Sequence, residues 1–180
     1  MKKRVVLFLV ILLIASLLFD TQISSFITSH RSESLTNILL SLELITSGWF
    51  VVPFISLLFI KKDKRKNLPI LLISFLVALL LTYILKSFIE RSRPINALIE
   101  KNTNSFPSGH VTAAAAPIPF LNHYPKFKHG WLAILLIISF TRIYLGLHYA
   151  SDVIAAILIG YVISNLVIYF NEKYKLLRWH

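Results

Sequence analysis

Residues 68–94 read LPILLISFLVALLLTYILKSFIERSRP, and this stretch decides the fold. From Leu68 to Ile89 it contains a single charged residue, Lys86. Because about 20 consecutive apolar residues are enough for a helix to cross the hydrocarbon layer of a membrane, the stretch predicts a membrane-spanning helix. Three more charged residues follow within the next four positions, so charged groups collect at one end of that helix.

The composition of the whole chain points the same way. Of its 180 residues, 56% are hydrophobic and only 15% are charged, and the mean hydropathy is +0.71. A soluble domain has about 25% charged residues, so a water-soluble or disordered protein is excluded. The net charge of +11 does not indicate nucleic-acid binding, because the basic residues lie between apolar runs rather than along one polar stripe. The chain has no cysteine, which excludes disulfides and thiolate chemistry.

Six apolar runs have the length, or nearly the length, of a membrane span. They are Val5–Phe19, Ile38–Ile60, Leu68–Ile89, Ser108–Leu121, Trp131–Leu145 and Val153–Phe170. The predicted fold class is therefore all-α, a polytopic bundle of six transmembrane helices that forms one domain over residues 1–180. The first run also resembles a signal peptide, but no clear cleavage site follows it, so we expect a retained anchor.

The basic residues predict the orientation of this bundle. In a six-span arrangement, 13 of the 19 lie on the side that carries both termini. These are Lys2, Lys3, Arg4, Lys61, Lys62, Lys64, Arg65, Lys66, Lys126, Lys128, Lys173, Lys175 and Arg178. Because cytoplasmic loops are enriched in Lys and Arg, both termini are predicted to be cytoplasmic, with loops 20–37 and 90–107 outside. We expect a multi-pass protein of the cell (inner) membrane.

Ionisable side chains near the predicted outer ends of these helices need an explanation, because charge at membrane depth is unfavourable. Lys86 and Arg93 are seven residues apart, which places them on one helix face if the helix continues until Pro94 ends it. Taken alone, the pair is equally well explained as charges that reach out to the membrane surface. Pro107-Ser108-Gly109-His110 is typical of a helix start, where free backbone amides can bind an anion.

The third polar segment runs from Arg142 to Asp152. On one unbroken helix Arg142 and His148 would lie on different faces, but Gly146 between them can end the helix and bring both to one site. His148 and Asp152 are four residues apart, so the carboxylate can fix the tautomer of the imidazole. The plainer alternative is a structural His–Asp cap on the sixth helix.

The predicted topology brings the three segments to the same face of the membrane. Cations and amides in such a cluster can bind a phosphoryl group, and a carboxylate-oriented histidine can attack it. Lys86-x6-Arg93-Pro94, Pro107-Ser108-Gly109-His110 and Arg142-x5-His148-x3-Asp152, in this order, resemble the three-part signature of the type 2 phosphatidic acid phosphatase superfamily. These are membrane lipid phosphatases related to vanadium haloperoxidases. The one departure is Thr141, where the family usually has Ser.

The resemblance implies a role for each residue of the signature. His148 is the expected nucleophile, Asp152 orients it, and His110 protonates the leaving oxygen and then activates water. The phosphoryl group is expected to contact Lys86, Arg93, Ser108, Gly109 and Arg142. No cofactor and no metal ion is expected, because the clustered carboxylates of a Mg²⁺ site are missing from the motifs.

The expected partners are a lipid phosphate and the bilayer itself, with no obligate protein partner. Lipid A 1-phosphate and undecaprenyl diphosphate are the favoured substrates, and phosphatidylglycerophosphate or phosphatidic acid is the alternative. A lipid phosphotransferase and a lipid binder or transporter without enzymatic activity are the rivals. The pair of histidines argues against the binder, because binding alone needs only cations.

Five further residues on the predicted outer side lie outside the signature. We expect Glu43 either to pair with a cation of the signature or to form a hydrogen bond between helices. For His30, Arg31, Arg91 and Lys101 we expect solvated loop positions, and contact with a second phosphate or a sugar headgroup is the alternative.

Overall fold

The computed structural model describes residues 2–45 and 67–175, and within them all regular secondary structure is helical. The elements are α1 (Lys3–Ser29), α2 (Glu33–Ile45), α3 (Leu68–Ile89), α4 (Gly109–Ala115), a 3₁₀ helix (Ile118–His123), α5 (Pro125–Tyr144) and α6 (Ala150–Tyr174). In these two segments α1, α3 and α6 are each long and apolar enough to cross a membrane. The chain is a membrane protein.

Helix α6 is the centre of the bundle and packs against α1, α3 and α4. Its contact with α4 is very close, because Gly160 faces the carbonyl of Thr112 and the methyl group of Ala115. The small residues of α4 allow this approach, as the run of alanines predicts. Helix α4 is buried from Val111 to Ala115, and it is linked to α3 by a 3.0 Å hydrogen bond between the hydroxyls of Thr112 and Thr82.

The first two predicted runs differ from the observed helices. Helix α1 continues to Ser29, so the prediction of a loop over residues 20–37 is wrong. The helix continues because Ser16, Asp20 and Ser24 lie four residues apart and bury one polar face among the other helices. Helix α2 begins at Glu33, and the later part of the second predicted run, residues 46–60, lies outside the described residues.

The fourth predicted run, Ser108–Leu121, is not one helix. Helix α4 has only seven residues, about 10 Å of axial length, which is too short to cross a membrane. Pro117 and Pro119 explain the break, because proline lacks the N–H that an α-helix interior requires. The chain continues instead as a 3₁₀ helix to His123, and α5 then starts at Pro125, six residues before the predicted start.

Helix α3 ends earlier than Pro94 predicts. Its last residue is Ile89, and Glu90 closes it with a left-handed backbone (φ 46°). Arg93 therefore lies in the loop after α3, and the prediction that Lys86 and Arg93 share a helix face is wrong.

Candidate active site

The three polar segments meet at one end of the bundle. The Lys86 Nζ donates a 2.7 Å hydrogen bond to the carbonyl of Asn104, and the Arg93 Nη2 lies 3.4 Å from the same oxygen. Arg93 also donates to the carbonyl of Leu147, directly before His148. Lys86 at the end of α3 and Arg93 in the loop after it are thus both close enough to His148 to act on it electrostatically.

The turn between α5 and α6 requires glycine. Gly146 has a φ of +72°, and a Cβ atom there would lie 2.7 Å from the carbonyl oxygen of Asn96. After this turn the backbone amides of Leu147 and His148 donate to the carbonyl of Arg142, at 3.0 Å and 3.2 Å. The prediction that Gly146 breaks the helix between Arg142 and His148 is confirmed.

His148 and Asp152 face each other, although His148 precedes α6 rather than belonging to it. The two atoms that approach are His148 Nδ1 and Asp152 Oδ2, 3.5 Å apart. The same carboxylate oxygen accepts a 2.9 Å hydrogen bond from the backbone amide of Tyr149, the residue that caps the helix. The carboxylate therefore serves both as a cap for α6 and as a neighbour of the imidazole.

His148 is only 4% exposed. Burial lowers the pKa of this imidazole to about 4, because the loss of water outweighs the opposite effect of the Asp152 carboxylate. The ring is consequently neutral at physiological pH, and with Nδ1 turned to Asp152 the second nitrogen, Nε2, is the one left to react.

The Pro107–His110 segment lies against the backbone of Asp152. The backbone amide of Ser108 donates to the main-chain carbonyl of Asp152 at 3.2 Å, and the buried Ser108 hydroxyl has no hydrogen-bond partner among the described residues. The space beside Gly109 is open, since a Cβ atom there would meet nothing within 4 Å. His110 is close enough to His148 and Arg142 to interact with both electrostatically.

Arg142 is 1% exposed and forms an ion pair with Glu43 of α2. The other oxygen of that carboxylate lies 3.5 Å from the Lys101 Nζ. Of the two expectations for Glu43, pairing with a cation of the signature is therefore the one that the structure shows.

Sequence reasoning missed a second acidic residue and the role of one arginine. Arg91, expected to be a solvated loop charge, bonds through Nη1 to Asp152 Oδ1 at 2.7 Å and through Nη2 to Asp20 Oδ2 at 2.8 Å. Asp20 was not predicted as a site residue at all. The sequence feature that could have identified Asp20 is its position as a single acidic residue directly after an apolar run.

The remaining residues that were predicted on the outer side have local contacts. Arg31 donates 2.8 Å hydrogen bonds to the carbonyls of Tyr144 and Asn96, so it supports the turn before His148 and is not a free loop charge. Lys101 is bound to Glu43, whereas His30 is exposed and its ring contacts the carbonyl of Phe26. Among the described residues, no group of three or more His, Asp or Glu side chains is arranged to hold a metal ion.

Comparison with known proteins places the chain in context. The model of the PAP2 superfamily matches residues 67–175. Phosphatidylglycerophosphatase B of Bacillus subtilis is 31% identical, with 99% of each chain covered. Undecaprenyl-diphosphatase of Sulfolobus acidocaldarius is 30% identical over 82% of this chain and 76% of that protein.

Solved structures agree with this placement. The crystal structure of the transmembrane PAP2 type phosphatidylglycerolphosphate phosphatase from Bacillus subtilis superposes with a TM-score of 0.76 at 28% identity, and 96% of each chain is covered. The structure of Aquifex aeolicus LpxE superposes with a TM-score of 0.75 at 24% identity over 84% of this chain and 95% of that one, which indicates a shared fold.

Proposed function

We propose that this chain, which belongs to the PAP2 superfamily, is an integral membrane phosphatase that hydrolyses the phosphate group of a lipid. The observation that carries the proposal is the meeting of a buried neutral imidazole, a carboxylate and several cations at one end of the bundle. Cations bind a phosphoryl group, whereas the neutral imidazole beside a carboxylate supplies the nucleophile that a mere lipid binder does not need.

The reaction has two steps. His148 Nε2 attacks phosphorus, a nitrogen–phosphorus bond forms, and the bond from phosphorus to the leaving oxygen breaks while His110 donates a proton to that oxygen. The leaving oxygen is that of the lipid alcohol in a monophosphate and the bridging oxygen in a diphosphate. His110 then takes a proton from water, which attacks the phosphohistidine and releases phosphate. Asp152 holds the imidazole and stabilises the positive charge that develops on it.

The phosphoryl oxygens are bound by the cations and small polar residues of the signature. Lys86, Arg93 and Arg142 supply positive charge, and Ser108 and Gly109 supply a hydroxyl and open space. Such groups lower the barrier when they match the charge of the transition state more closely than that of the bound lipid. The proposed reaction uses no metal ion.

We propose six membrane crossings, the fourth made by α4 and the following 3₁₀ helix together, with cytoplasmic termini and a single domain over residues 1–180. The active site then faces the periplasm and opens toward the outer leaflet of the inner membrane. The excess of basic residues on the side of the termini supports this orientation. Cleavage of a membrane-impermeant substrate analogue by right-side-out vesicles is expected, and cleavage by inverted vesicles alone would reverse the orientation.

The substrate that we favour is an envelope lipid such as lipid A 1-phosphate or undecaprenyl diphosphate. Basic side chains near the site, in particular Lys101 beside Glu43, suit a headgroup larger than one phosphate. The alternative is phosphatidylglycerophosphate or phosphatidic acid, and its support is the relative named phosphatidylglycerophosphatase B, which matches along 99% of the chain.

A phosphate-release assay in detergent over these lipids tests the proposal. The wild-type protein is expected to release phosphate from at least one of them, and His148→Ala is expected to lose at least about 1,000-fold in kcat, because a nucleophile has no substitute. His129→Ala, an exposed histidine of α5, is the matched control and should match the wild type. Binding of the lipid without phosphate release would indicate a lipid binder. Transfer of the phosphoryl group to an added alcohol would indicate a phosphotransferase.

A further inference from the structure

A buried acidic residue of the first helix lies beside the proposed active site. Asp20 is 4% exposed and lies about 26 Å along α1 from its start. A charge at such a position is unfavourable unless it is paired. Its Oδ1 accepts a 2.9 Å hydrogen bond from the backbone amide of Ser151, and its Oδ2 accepts from the Ser151 hydroxyl and from Arg91.

Arg91 joins this carboxylate to that of Asp152. Its Nη2 lies 2.8 Å from Asp20, and its Nη1 lies 2.7 Å from both Asp152 Oδ1 and the Ser151 hydroxyl. The guanidinium also stacks over the ring of Tyr149, 4.1 Å from its centroid. A planar guanidinium held by two carboxylates and an aromatic ring has a fixed orientation, which a lysine ammonium cannot reproduce.

The contacts of Asp152 show what this arrangement does. One carboxylate oxygen, Oδ1, is bound by Arg91, and the other, Oδ2, is bound by the Tyr149 amide and faces His148 at 3.5 Å. Arg91 and the Tyr149 amide thus set the plane in which the carboxylate meets the imidazole.

We infer that Arg91, held in place by Asp20, is a positioning residue that orients the Asp152 carboxylate toward His148 and offsets part of its charge. The inference rests on the proposed function of His148 as the nucleophile. Neither Arg91 nor Asp20 belongs to the three-part signature, so the first helix completes the site from outside the motifs.

The electrostatic consequence distinguishes this role from plain structural support. The groups that face His148 are Asp152 from α6, Lys86 from α3, Arg93 from the following loop and His110 from α4. Asp152 is the one anion in this group. Without the positive charge of Arg91, the carboxylate is less compensated, so the imidazole keeps its proton to a higher pH.

Steady-state kinetics of four single variants and one double variant test the inference on whichever lipid the wild-type protein hydrolyses. Arg91→Lys keeps the charge but loses the double contact, and we expect kcat to fall about 10- to 100-fold with KM within threefold and the acid limb of kcat/KM unmoved. Arg91→Gln removes the charge as well, and we expect the acid limb to move up by about one pH unit.

Asparagine has nearly the same shape as aspartate, so we expect Asp20→Asn to lower kcat less than Arg91→Lys does. In the double variant Asp20→Asn/Arg91→Lys the loss in kcat should be less than the sum of the two single losses in free energy, because both substitutions act through the same guanidinium. Ser16→Ala is the matched control. It lies one turn earlier on the same buried face of α1, and its hydroxyl bonds the Leu13 carbonyl of its own helix. We expect it to match the wild type.

The outcomes separate this inference from the proposed function. If the wild-type protein releases no phosphate from any lipid, the proposed function fails and the positioning role with it. If it does release phosphate, three results would show that the positioning role alone is wrong. Arg91→Lys would keep kcat within twofold of the wild type, or its whole loss in kcat/KM would come from KM. Alternatively, a folded Arg91→Gln protein would lose kcat while the acid limb of its kcat/KM stayed where it is in the wild type.

Discussion

Replacing Gly160 with alanine tests how tightly the two helices behind the site are packed. A Cβ atom at this position would lie 2.7 Å from the Thr112 carbonyl oxygen, 2.8 Å from the Ala115 Cβ and 2.9 Å from the Ala116 amide nitrogen. Two of these three atoms are backbone, which cannot rotate away. Helices α4 and α6 must therefore separate by several tenths of an ångström.

The free energy of unfolding is expected to fall because overpacking outweighs helix propensity. Overpacking a close contact costs about 1–3 kcal/mol, whereas Gly→Ala in a helix contributes about 0.5–1 kcal/mol in the opposite direction. Because all three contacts are shorter than 3 Å, overpacking falls in the upper part of its range, about 2–3 kcal/mol. We expect a net loss of about 1–2.5 kcal/mol, which lowers the melting temperature of a chain of this size by about 2–10 °C. Because α4 carries His110 and α6 carries Asp152, kcat should fall about tenfold or more.

Gly130→Ala is the matched control for this experiment. Gly130 lies inside α5, and a Cβ atom there would meet nothing within 4 Å. The melting temperature of the Gly130→Ala protein in detergent should equal that of the wild type or be slightly higher, and its activity should be unchanged. The packing argument is refuted if Gly160→Ala melts at the same temperature as Gly130→Ala and retains wild-type kcat.

Three further predictions concern the chemistry. The neutral form of His148 is the nucleophile, and burial lowers its pKa to about 4, so the acid limb of kcat/KM, corrected for ionisation of the substrate, should lie near pH 4. An acid limb near 6.5 would contradict the burial argument. Glu43→Gln removes the anion beside Arg142, so inorganic phosphate should bind more tightly and its inhibition constant should fall about 3- to 10-fold. Glu33→Gln, an exposed position on the same helix, is the control and should leave the constant unchanged. An unchanged or higher constant for Glu43→Gln would contradict this prediction. Excess chelator should leave the phosphate-release rate unchanged, and a loss that Mg²⁺ restores would show that the proposed reaction needs a metal ion.

Much of the site could be predicted because its residues carry strong local signals. A glycine at position 146, between Arg142 and His148, indicates a turn, and the observed φ of +72° is one that glycine adopts readily. Lys86 is conspicuous in an apolar run, and the three motifs needed only the alternation of spans to be placed at one end of the bundle.

The parts that sequence reasoning missed depend on packing between distant residues. Pro117 and Pro119 predict a bend, but whether the chain bends or leaves the α-helix depends on its neighbours, and here it becomes a 3₁₀ helix. Arg91 is indistinguishable from a loop charge until Asp20, 71 positions earlier, is known to lie beside it. The pattern of apolar and polar residues along one helix does not show which distant residue packs against it.

The phosphorylated intermediate offers the most direct test of the central claim, that the three segments form one catalytic site with His148 as its nucleophile. His110→Ala protein, mixed with an aryl phosphate whose leaving group needs no proton and quenched in base, should carry one phosphoryl group on the His148 peptide by mass spectrometry, since only the second step then depends on the missing residue. The double variant His110→Ala/His148→Ala should carry none. Phosphorylation of another residue, or turnover by the wild-type protein without a trapped phosphohistidine, would contradict the account.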